Sequence, residues 1–258
     1  MGLRVALAQI DIAYGKPQIN YDKVEQYLKQ AATSGAEVVV LPELWNTGYD
    51  LVNLSKIADI DGKKTQLFLE SCAQKYNLNI VGGSVAIKKG KQFYNNAYIV
   101  DHQGKLIGDY KKVHLFRLMA EDKYLAAGNN KSTFELAGIK STVFICYDIR
   151  FPEWLRTVAK QGLDVMYIVA QWPKPRIAQW RALLIARAIE NQAYIIAVNC
   201  VGANPDDKFG GHSLIIDPLG RVLSDSGEQE KLTIYDLDLA KFKQNIQVFE
   251  DRRPELYE

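Results

Sequence analysis

A cysteine, a glutamate and a lysine each occur where an apolar stretch of the chain ends. Cys146 closes the run TVFIC and is followed by the polar turn YDIR. Glu43 follows VVVLP, in which the proline ends a strand because it lacks a backbone N–H. Lys112 lies in GDYKKVHLF, whose alternation fits a strand with one of its two lysines facing inward. In α/β sheets the carboxyl ends of strands are where ligands bind.

The Cys146 thiol would be useful as a nucleophile only in its thiolate form, so a catalytic role requires a base nearby. His114 is available, but no papain-like signature surrounds Cys146, and we therefore expect the base to be a carboxylate. Each residue also has a structural interpretation. Cys146 could be a small buried apolar side chain, Glu43 an ordinary loop acid and Lys112 an edge-strand cation.

The sequence contains no pattern typical of a metal site, a nucleotide site or a serine hydrolase. His102, His114 and His212 lie far apart, and no cysteine–histidine spacing is typical of zinc. A phosphate-binding loop, a dinucleotide fingerprint and a G-x-S-x-G turn are all missing. The sequence therefore predicts catalysis without a metal or an organic cofactor.

Composition limits the partners of the chain. The 258 residues are 48% hydrophobic and 24% charged, with a net charge of +2, which gives no argument for nucleic acid or anionic membranes. No apolar run approaches the length of a membrane span, and the N-terminus does not resemble a signal peptide. Three widely spaced cysteines favour a reducing compartment. We therefore predict a cytoplasmic protein.

Strand and helix patterns alternate along the chain, which predicts an α/β fold. No linker divides residues 1–258, so a single domain is expected, with a polar tail from about residue 241 that is either frayed or crosses a partner. Helices are predicted over residues 18–34, 64–76, 152–161 and 175–191. Strands are predicted over residues 4–10, 37–41, 78–86, 96–101, 105–112, 140–146, 164–170, 194–201, 212–216 and 232–238.

Three stretches together resemble the carbon–nitrogen hydrolase (nitrilase) superfamily, whose members use glutamate, lysine and cysteine in that chain order. The stretches are LPELWNTGY with Glu43, YKKVHLF with Lys112 and FICYDIRFPEWLR with Cys146. The resemblance covers nearly the whole chain, including GGS at 82–84, Tyr94-Asn95 and ARAIENQAYIIAVN at 186–199. It implies a four-layer αββα sandwich and a homodimer, for which Trp154, Leu155 and Val158 are candidate contacts unless they belong to the core.

The same resemblance implies roles for the site residues. Cys146 would attack an amide carbonyl, and Glu43 would act as general base and then general acid. Lys112 and the backbone N–H of Tyr147 would face the oxyanion. Glu121, in HLFRLMAEDKYLAAG, matches a further active-site carboxylate of the family, although a solvated acid is the alternative.

The loop HLFRLMAEDKYLAAG and the segment AQWPKPR look most like the omega-amidase branch, which hydrolyses amides of the 2-oxoglutaramate type. Such a substrate carries a carboxylate, so Arg150 and Arg176 are candidate cations for it, or else structural residues. An N-carbamoyl amino acid or a deaminated peptide amide is the alternative substrate. A non-catalytic relative that binds a metabolite is the alternative from another class.

Overall fold

The arrangement of helices follows the apolar periodicity of the sequence. A computed structural model of the chain describes residues 2–160, 162–240 and 251–256. Its six α-helices within that part of the chain are α1 (Pro17–Thr33), α2 (Leu54–Ile57), α3 (Lys63–Tyr76), α4 (Glu121–Tyr124), α5 (Pro152–Ala159) and α6 (Ile177–Asn191). Proline stands at the first position of α1 and of α5, where its missing N–H leaves no bond unmade.

Two mixed sheets contain the strands among the described residues. The strands are β1 (Gly2–Gln9), β2 (Val38–Val40), β3 (Asp59–Ile60), β4 (Asn79–Lys89), β5 (Gln92–Val100), β6 (Leu106–Lys111), β7 (Thr133–Leu136), β8 (Ile139–Ile145), β9 (Val165–Ala170), β10 (Tyr194–Asn199), β11 (Leu214–Ile216), β12 (Val222–Asp225) and β13 (Lys231–Asp238). The first sheet has the order β13-β1-β2-β4-β5-β6, with β3 beside β4, and the second has the order β12-β11-β10-β9-β8-β7. Parallel pairing holds β1, β2 and β4 together in one sheet and β8, β9 and β10 in the other.

The sheets pack face to face, and helices cover their outer faces. Alternate residues of β1 show this division, because Leu3, Val5 and Leu7 pack with the second sheet, whereas Ala6 and Ala8 pack with α1 and α3. On the other side, α5 and α6 cover the second sheet. The predicted αββα sandwich is therefore confirmed.

The four longer helices and all ten predicted strands occur close to their predicted positions. Three strands and two helices, β3, β7, β12, α2 and α4, were not predicted, because pieces of two to four residues are too short to show a period. Two strand ends differ from the prediction in a way that matters for the site. β6 ends at Lys111 and β8 at Ile145, so Lys112 and Cys146 stand one residue beyond their strands.

The proposed dimer contact on α5 needs a correction. Leu155 and Val158 are fully buried inside this chain, where they pack in the core against the second sheet, so they take the structural role noted as the alternative. Trp154 is partly buried and donates its indole N–H to the Tyr110 hydroxyl at 3.0 Å. A homodimer stays a prediction that sedimentation can check.

Two sequence predictions concern features at the limits of the structure. The predicted tail from residue 241 lies outside the described residues except for 251–256, where Pro254–Leu256 form a single 3₁₀ turn. Helices of the described ranges are all too short or too polar to cross a bilayer. The cytoplasmic location stays a prediction.

Gly83 fixes the turn that carries Glu43. It has φ +60° at a register shift in β4, and a Cβ there would lie 2.0 Å from the Pro42 carbonyl oxygen. We expect Gly83→Ala to lower the free energy of unfolding by about 2–4 kcal/mol and to reduce turnover, because both the backbone and the turn must shift. Chemical denaturation measures the first effect.

Gly90 provides a matched control for this prediction. It has nearly the same φ of +61°, but an added Cβ would meet nothing within 4 Å. Gly90→Ala should therefore cost only about 1 kcal/mol, the conformational penalty alone, and leave turnover unchanged. Equal effects of the two substitutions would contradict the steric role assigned to Gly83.

Candidate active site

Four side chains, three that follow different strands and one that begins a helix, meet in one buried cluster. Glu43 follows β2, Lys112 follows β6, Cys146 follows β8, and Glu121 begins α4; each is at most 3% exposed. The Lys112 Nζ lies 2.8 Å from the Glu43 Oε1 and 2.6 Å from the Glu121 Oε1. The Glu43 carboxylate lies close enough to the Cys146 thiol to raise the pKa of that thiol. A thiol, two carboxylates and an ammonium thus lie together in one buried cluster.

Cys146 occupies a left-handed backbone conformation with φ +47°. This conformation is uncommon for residues other than glycine, and such residues often occur at functional sites. It explains why β8 ends one residue earlier than predicted, since the chain turns away from the strand at the cysteine. A short 3₁₀ helix, Cys146–Arg150, follows and presents the thiol at the sheet edge.

Asp148 holds this turn against the strand that carries Lys112. Its Oδ2 accepts bonds from the Ile145 N–H at 3.1 Å and the Tyr110 hydroxyl at 2.8 Å. Its Oδ1 accepts a bond from the His114 backbone N–H at 3.0 Å and lies 2.8 Å from the His114 Nδ1. His114 is therefore a partner of Asp148, and a carboxylate base for the cysteine stays a prediction.

Glu43 is held by both sheets. The Gln171 backbone N–H, just after β9, donates to the Glu43 Oε2 at 2.9 Å, and the Gln171 side chain donates to the Glu43 carbonyl at 2.7 Å. From the first sheet, the Asn95 amide donates to the Glu43 Oε1 at 2.8 Å. The carboxylate is therefore positioned from two directions.

Glu121 is buried and not solvated, which removes the alternative noted from the sequence. Its Oε1 accepts a bond from the Tyr49 hydroxyl at 2.7 Å, and its Oε2 accepts the Phe116 N–H at 2.8 Å. The preceding residue, Ala120, has φ +56°, and this turn directs α4 inward. The chain thus brings a second carboxylate to the far side of Lys112.

Burial and charge shift the titration of the cluster. Burial acts to lower the pKa of Lys112, but the charges of Glu121 and Glu43 outweigh it, so this pKa lies above its usual value. Burial, together with Glu43, raises the pKa of the Cys146 thiol well above its usual value. Burial likewise raises the pKa of Glu121, although Lys112 opposes the shift. The resting thiol is therefore neutral and requires a base.

Aromatic rings and two arginines surround the cluster. Tyr147 and Phe116 pack with ring centroids 4.6 Å apart, beside an open cleft of about 500 Å³. The Arg150 guanidinium lies 5.2 Å from the Trp172 ring centroid, and that of Arg176 lies 5.7 Å from the Phe116 ring centroid. Both arginines are half-buried. Both arginines thus lie against aromatic rings near the site but are not part of the cluster of Glu43, Lys112, Cys146 and Glu121.

The structure brings together Glu43, Lys112, Cys146 and Glu121, with Tyr147 beside them; their chemical roles stay predictions. The sequence analysis did not identify four of the residues that hold them, namely Asn95, Gln171, Tyr49 and Asp148. Some signals were present. Asn95 was noted only as part of the family resemblance, and Asp148 lies in the polar turn after Cys146.

Gln171 lies in the segment QGLDVMYIVAQWP, and Glu43 ends the segment SGAEVVVLPE. In both segments a glycine is followed by an acidic residue, an apolar strand and a polar or proline turn. The two segments form β9 and β2, one in each sheet, and the residues that follow them bond to each other. Within the described ranges, no cluster of three histidine, cysteine or acidic residues is suited to a metal ion. The Lys112 ammonium occupies the centre between the two carboxylates instead.

Comparison with known proteins agrees with this geometry. Residues 4–247 match the family model for carbon-nitrogen hydrolases. The chain is 50% identical over 256 residues to the 2-oxoglutaramate amidase of Bacillus subtilis (strain 168), covering 98% of each protein. It is 32% identical to the omega-amidase NIT2 of Homo sapiens, covering 98% of this chain and 96% of that protein.

A solved structure shares the fold. The carbon–nitrogen hydrolase superfamily protein XC1258 from Xanthomonas campestris superimposes with a TM-score of 0.90 at 30% identity, covering 98% of each chain. The resemblance found in the three sequence stretches is thereby confirmed. The chain belongs to the carbon–nitrogen hydrolase (nitrilase) superfamily of enzymes and, by its sequence, to the omega-amidase branch.

Proposed function

We propose that this protein is an omega-amidase, which hydrolyses the terminal amide of a small carboxylate-bearing substrate such as 2-oxoglutaramate to the acid and ammonia. The observation that carries the proposal is the buried cluster in which Lys112 contacts Glu43 at 2.8 Å and both charges act on the Cys146 thiol. The relatives named 2-oxoglutaramate amidase and omega-amidase support the same reaction class.

The first half-reaction forms a thioester. Glu43 takes the thiol proton of Cys146 while the sulfur bonds to the amide carbon. The oxyanion that forms faces the Lys112 ammonium and the Tyr147 N–H, which lies at the open N-terminus of the 3₁₀ turn. Glu43 then returns the proton to the leaving nitrogen, the C–N bond breaks, and ammonia leaves.

The second half-reaction frees the enzyme. Glu43, again ionised, takes a proton from a water molecule as its oxygen bonds to the thioester carbon. The C–S bond breaks, the carboxylic acid product leaves, and Cys146 regains the proton. The Glu121 carboxylate holds Lys112 throughout, so the ammonium keeps its place while Glu43 changes charge.

A substrate that carries a carboxylate requires a cation at the edge of the active site. With a neutral thiol, the buried cluster of Glu43, Glu121 and Lys112 carries a net charge of −1, which repels an anion. Arg150 is the better candidate to offset this. Its side-chain partner is the neutral Gln179, whereas Arg176 exerts its charge on Asp207.

Ammonia release from a panel of amides tests the proposal. We expect 2-oxoglutaramate to be hydrolysed with a kcat/KM at least about tenfold above that of a neutral amide of equal length, the discrimination that a charge-assisted bond gives. An N-carbamoyl amino acid and a deaminated peptide amide form the other arms. Preference for any of these three competitors would overturn the substrate assignment.

Arg150→Ala and Arg176→Ala form a matched pair within the same assay. Arg150→Ala should raise KM for 2-oxoglutaramate by about tenfold or more and leave the neutral amide unaffected. Arg176→Ala should change both substrates less. If Arg176→Ala alone removed the preference for the carboxylate, the cation would be Arg176.

A further inference from the structure

The two buried glutamates, Glu43 and Glu121, have matching sets of hydrogen-bond donors. Glu43 Oε1 accepts bonds from the Lys112 Nζ and from the Asn95 Nδ2, both at 2.8 Å. Glu121 Oε1 accepts bonds from the same Nζ at 2.6 Å and from the Tyr49 hydroxyl at 2.7 Å. Each carboxylate also receives one backbone N–H on its other oxygen. One cation is thus shared, and each acid has a neutral donor of its own.

The neutral donors have defined orientations. An ionised carboxylate can only accept hydrogen bonds, so the Asn95 amide nitrogen and not its oxygen must face Glu43, and the Tyr49 hydroxyl must donate to Glu121. Asn95 is 1% exposed and Tyr49 is 7% exposed, so water competes little for either bond. A donor of this kind favours the charged form of an acid without adding charge.

The two acids differ in their effect on Cys146, although their donors match. After burial, the Glu43 charge does most to raise the pKa of the Cys146 thiol, and the Glu121 charge does less, so Glu43 is the acid that acts on the thiol. Asn95 also holds the backbone of Lys112 in place, since its carbonyl oxygen accepts a bond from the Lys112 backbone N–H at 2.9 Å. If Glu121 became neutral, Lys112 would pair with Glu43 alone and would be drawn away from the oxyanion position.

We propose that Asn95 and Tyr49 are paired positioning residues, in which Asn95 keeps Glu43 ionised and directed at Cys146, and Tyr49 keeps Glu121 ionised so that Lys112 is shared. The inference deepens the proposed function and rests on it for turnover. It also has a substrate-free consequence, because alkylation of Cys146 depends on Glu43 in the free protein.

The Asn95 half is tested by the pH dependence of Cys146 alkylation with iodoacetamide, followed by mass spectrometry. In Asn95→Leu, Glu43 loses a donor and holds its proton to higher pH. The acid limb of the alkylation rate should therefore move up by about one pH unit or more, and the acid limb of kcat/KM should move with it. Asn95→Asp adds a like charge and should move the limb further.

Asn96→Leu is the matched control. Asn96 is the next residue of β5, equally buried at 1% exposure, but it points to the opposite face and donates to the Ala97 carbonyl. Its pH profile should match that of the wild type. Should Asn95→Leu and Asn95→Asp give the profile of Asn96→Leu while folded, the role of Asn95 is overturned.

The Tyr49 half predicts a different signature. Tyr49→Phe should lower kcat by about tenfold or more with little change in KM, because Lys112 meets the oxyanion only during the reaction. The acid limb of Cys146 alkylation should not move up as in Asn95→Leu; it should stay in place or move to lower pH, because Lys112 then pairs with Glu43 alone. Tyr98→Phe, which removes another buried hydroxyl in the first sheet, should change neither measurement.

The outcomes separate the inference from the proposed function. If the acid limb of Cys146 alkylation shifted equally in Asn95→Leu and Tyr49→Phe, the separate roles proposed for Asn95 and Tyr49 would be overturned. A wild type that releases no ammonia from any amide would overturn the proposed function, yet the Asn95 result would still stand or fall on the alkylation profile. Thermal melting of each variant confirms that the comparison is made between folded proteins.

Discussion

Cys146→Ala will abolish ammonia release, with a fall in turnover of about 10⁴-fold or more, because no other group in the site can form the acyl intermediate. The fold should persist, since alanine removes a thiol that is buried beside a carboxylate and leaves the hydrogen bonds of Asp148 to the turn intact. Steady-state ammonia assays measure the loss, and intact-mass spectrometry of quenched wild-type reactions should detect the thioester.

The other two cysteines serve as controls. Cys200 is also fully buried, and burial raises the pKa of its thiol well above the usual value, but it makes no bond to Glu43. Cys72→Ala and Cys200→Ala should therefore keep turnover while losing some stability. A protein that still hydrolyses amides after stoichiometric alkylation of Cys146 would exclude the thiol mechanism. Normal binding of the amide without any turnover in the wild type would instead favour a non-catalytic relative.

Lys112→Met will destabilise the protein as well as inactivate it. The Lys112 ammonium lies within 2.8 Å of the Glu43 and Glu121 carboxylates, and all three groups are excluded from solvent. Removing the cation leaves two buried negative charges without compensation, for which about 3–5 kcal/mol of unfolding free energy is the expected loss at neutral pH. Turnover should fall by about 10²–10³-fold or more, because an oxyanion donor is lost.

The pH dependence of this loss has a defined sign. Without Lys112, the folded variant holds protons on its two acids more tightly than the unfolded chain does. Lowering the pH toward the ordinary carboxyl range should therefore restore part of its stability relative to the wild type. Urea denaturation at pH 7 and at pH 5 would show this. A penalty that is equal at both values would mean that the acids are not responsible.

A second substitution separates stability from catalysis. Lys112→Met combined with Glu121→Gln removes one of the two uncompensated charges, so the double variant should recover stability at pH 7. It should not recover turnover, since the oxyanion still lacks its ammonium. Recovery of both properties in the double variant would show that Lys112 acts only by balancing charge.

Three residues of the site, Glu43, Lys112 and Cys146, could be predicted from the sequence because each follows a strand. Glu43 follows VVVLP, and Cys146 ends TVFIC, so their exposure at a sheet edge could be inferred from local patterns alone. The left-handed turn at Cys146 could not, because it is maintained by Asp148 bonds to residues up to 38 positions away. Local propensity does not encode such a constraint.

The residues that hold Glu43 and Glu121 through contacts distant in sequence were missed for the same reason. Asn95 and Tyr49 reach their acids across 52 and 72 positions of the chain. Both lie in stretches that carry the family resemblance, but nothing in those stretches indicates which acid each residue contacts. The apolar face of α5 shows another limit. An amphipathic pattern predicts that Leu155 and Val158 are covered, but it cannot distinguish the chain's own sheet from a second subunit.

The bonds between Glu43 and Gln171 join loops that belong to opposite sheets, and Lys112 and Cys146 are likewise contributed by one sheet each. Neither half of the sandwich therefore contains the complete catalyst. A displacement of one sheet against the other by about one ångström would separate the Glu43 carboxylate from the Cys146 sulfur. The rate of the enzyme therefore depends on how closely the two sheets keep their alignment.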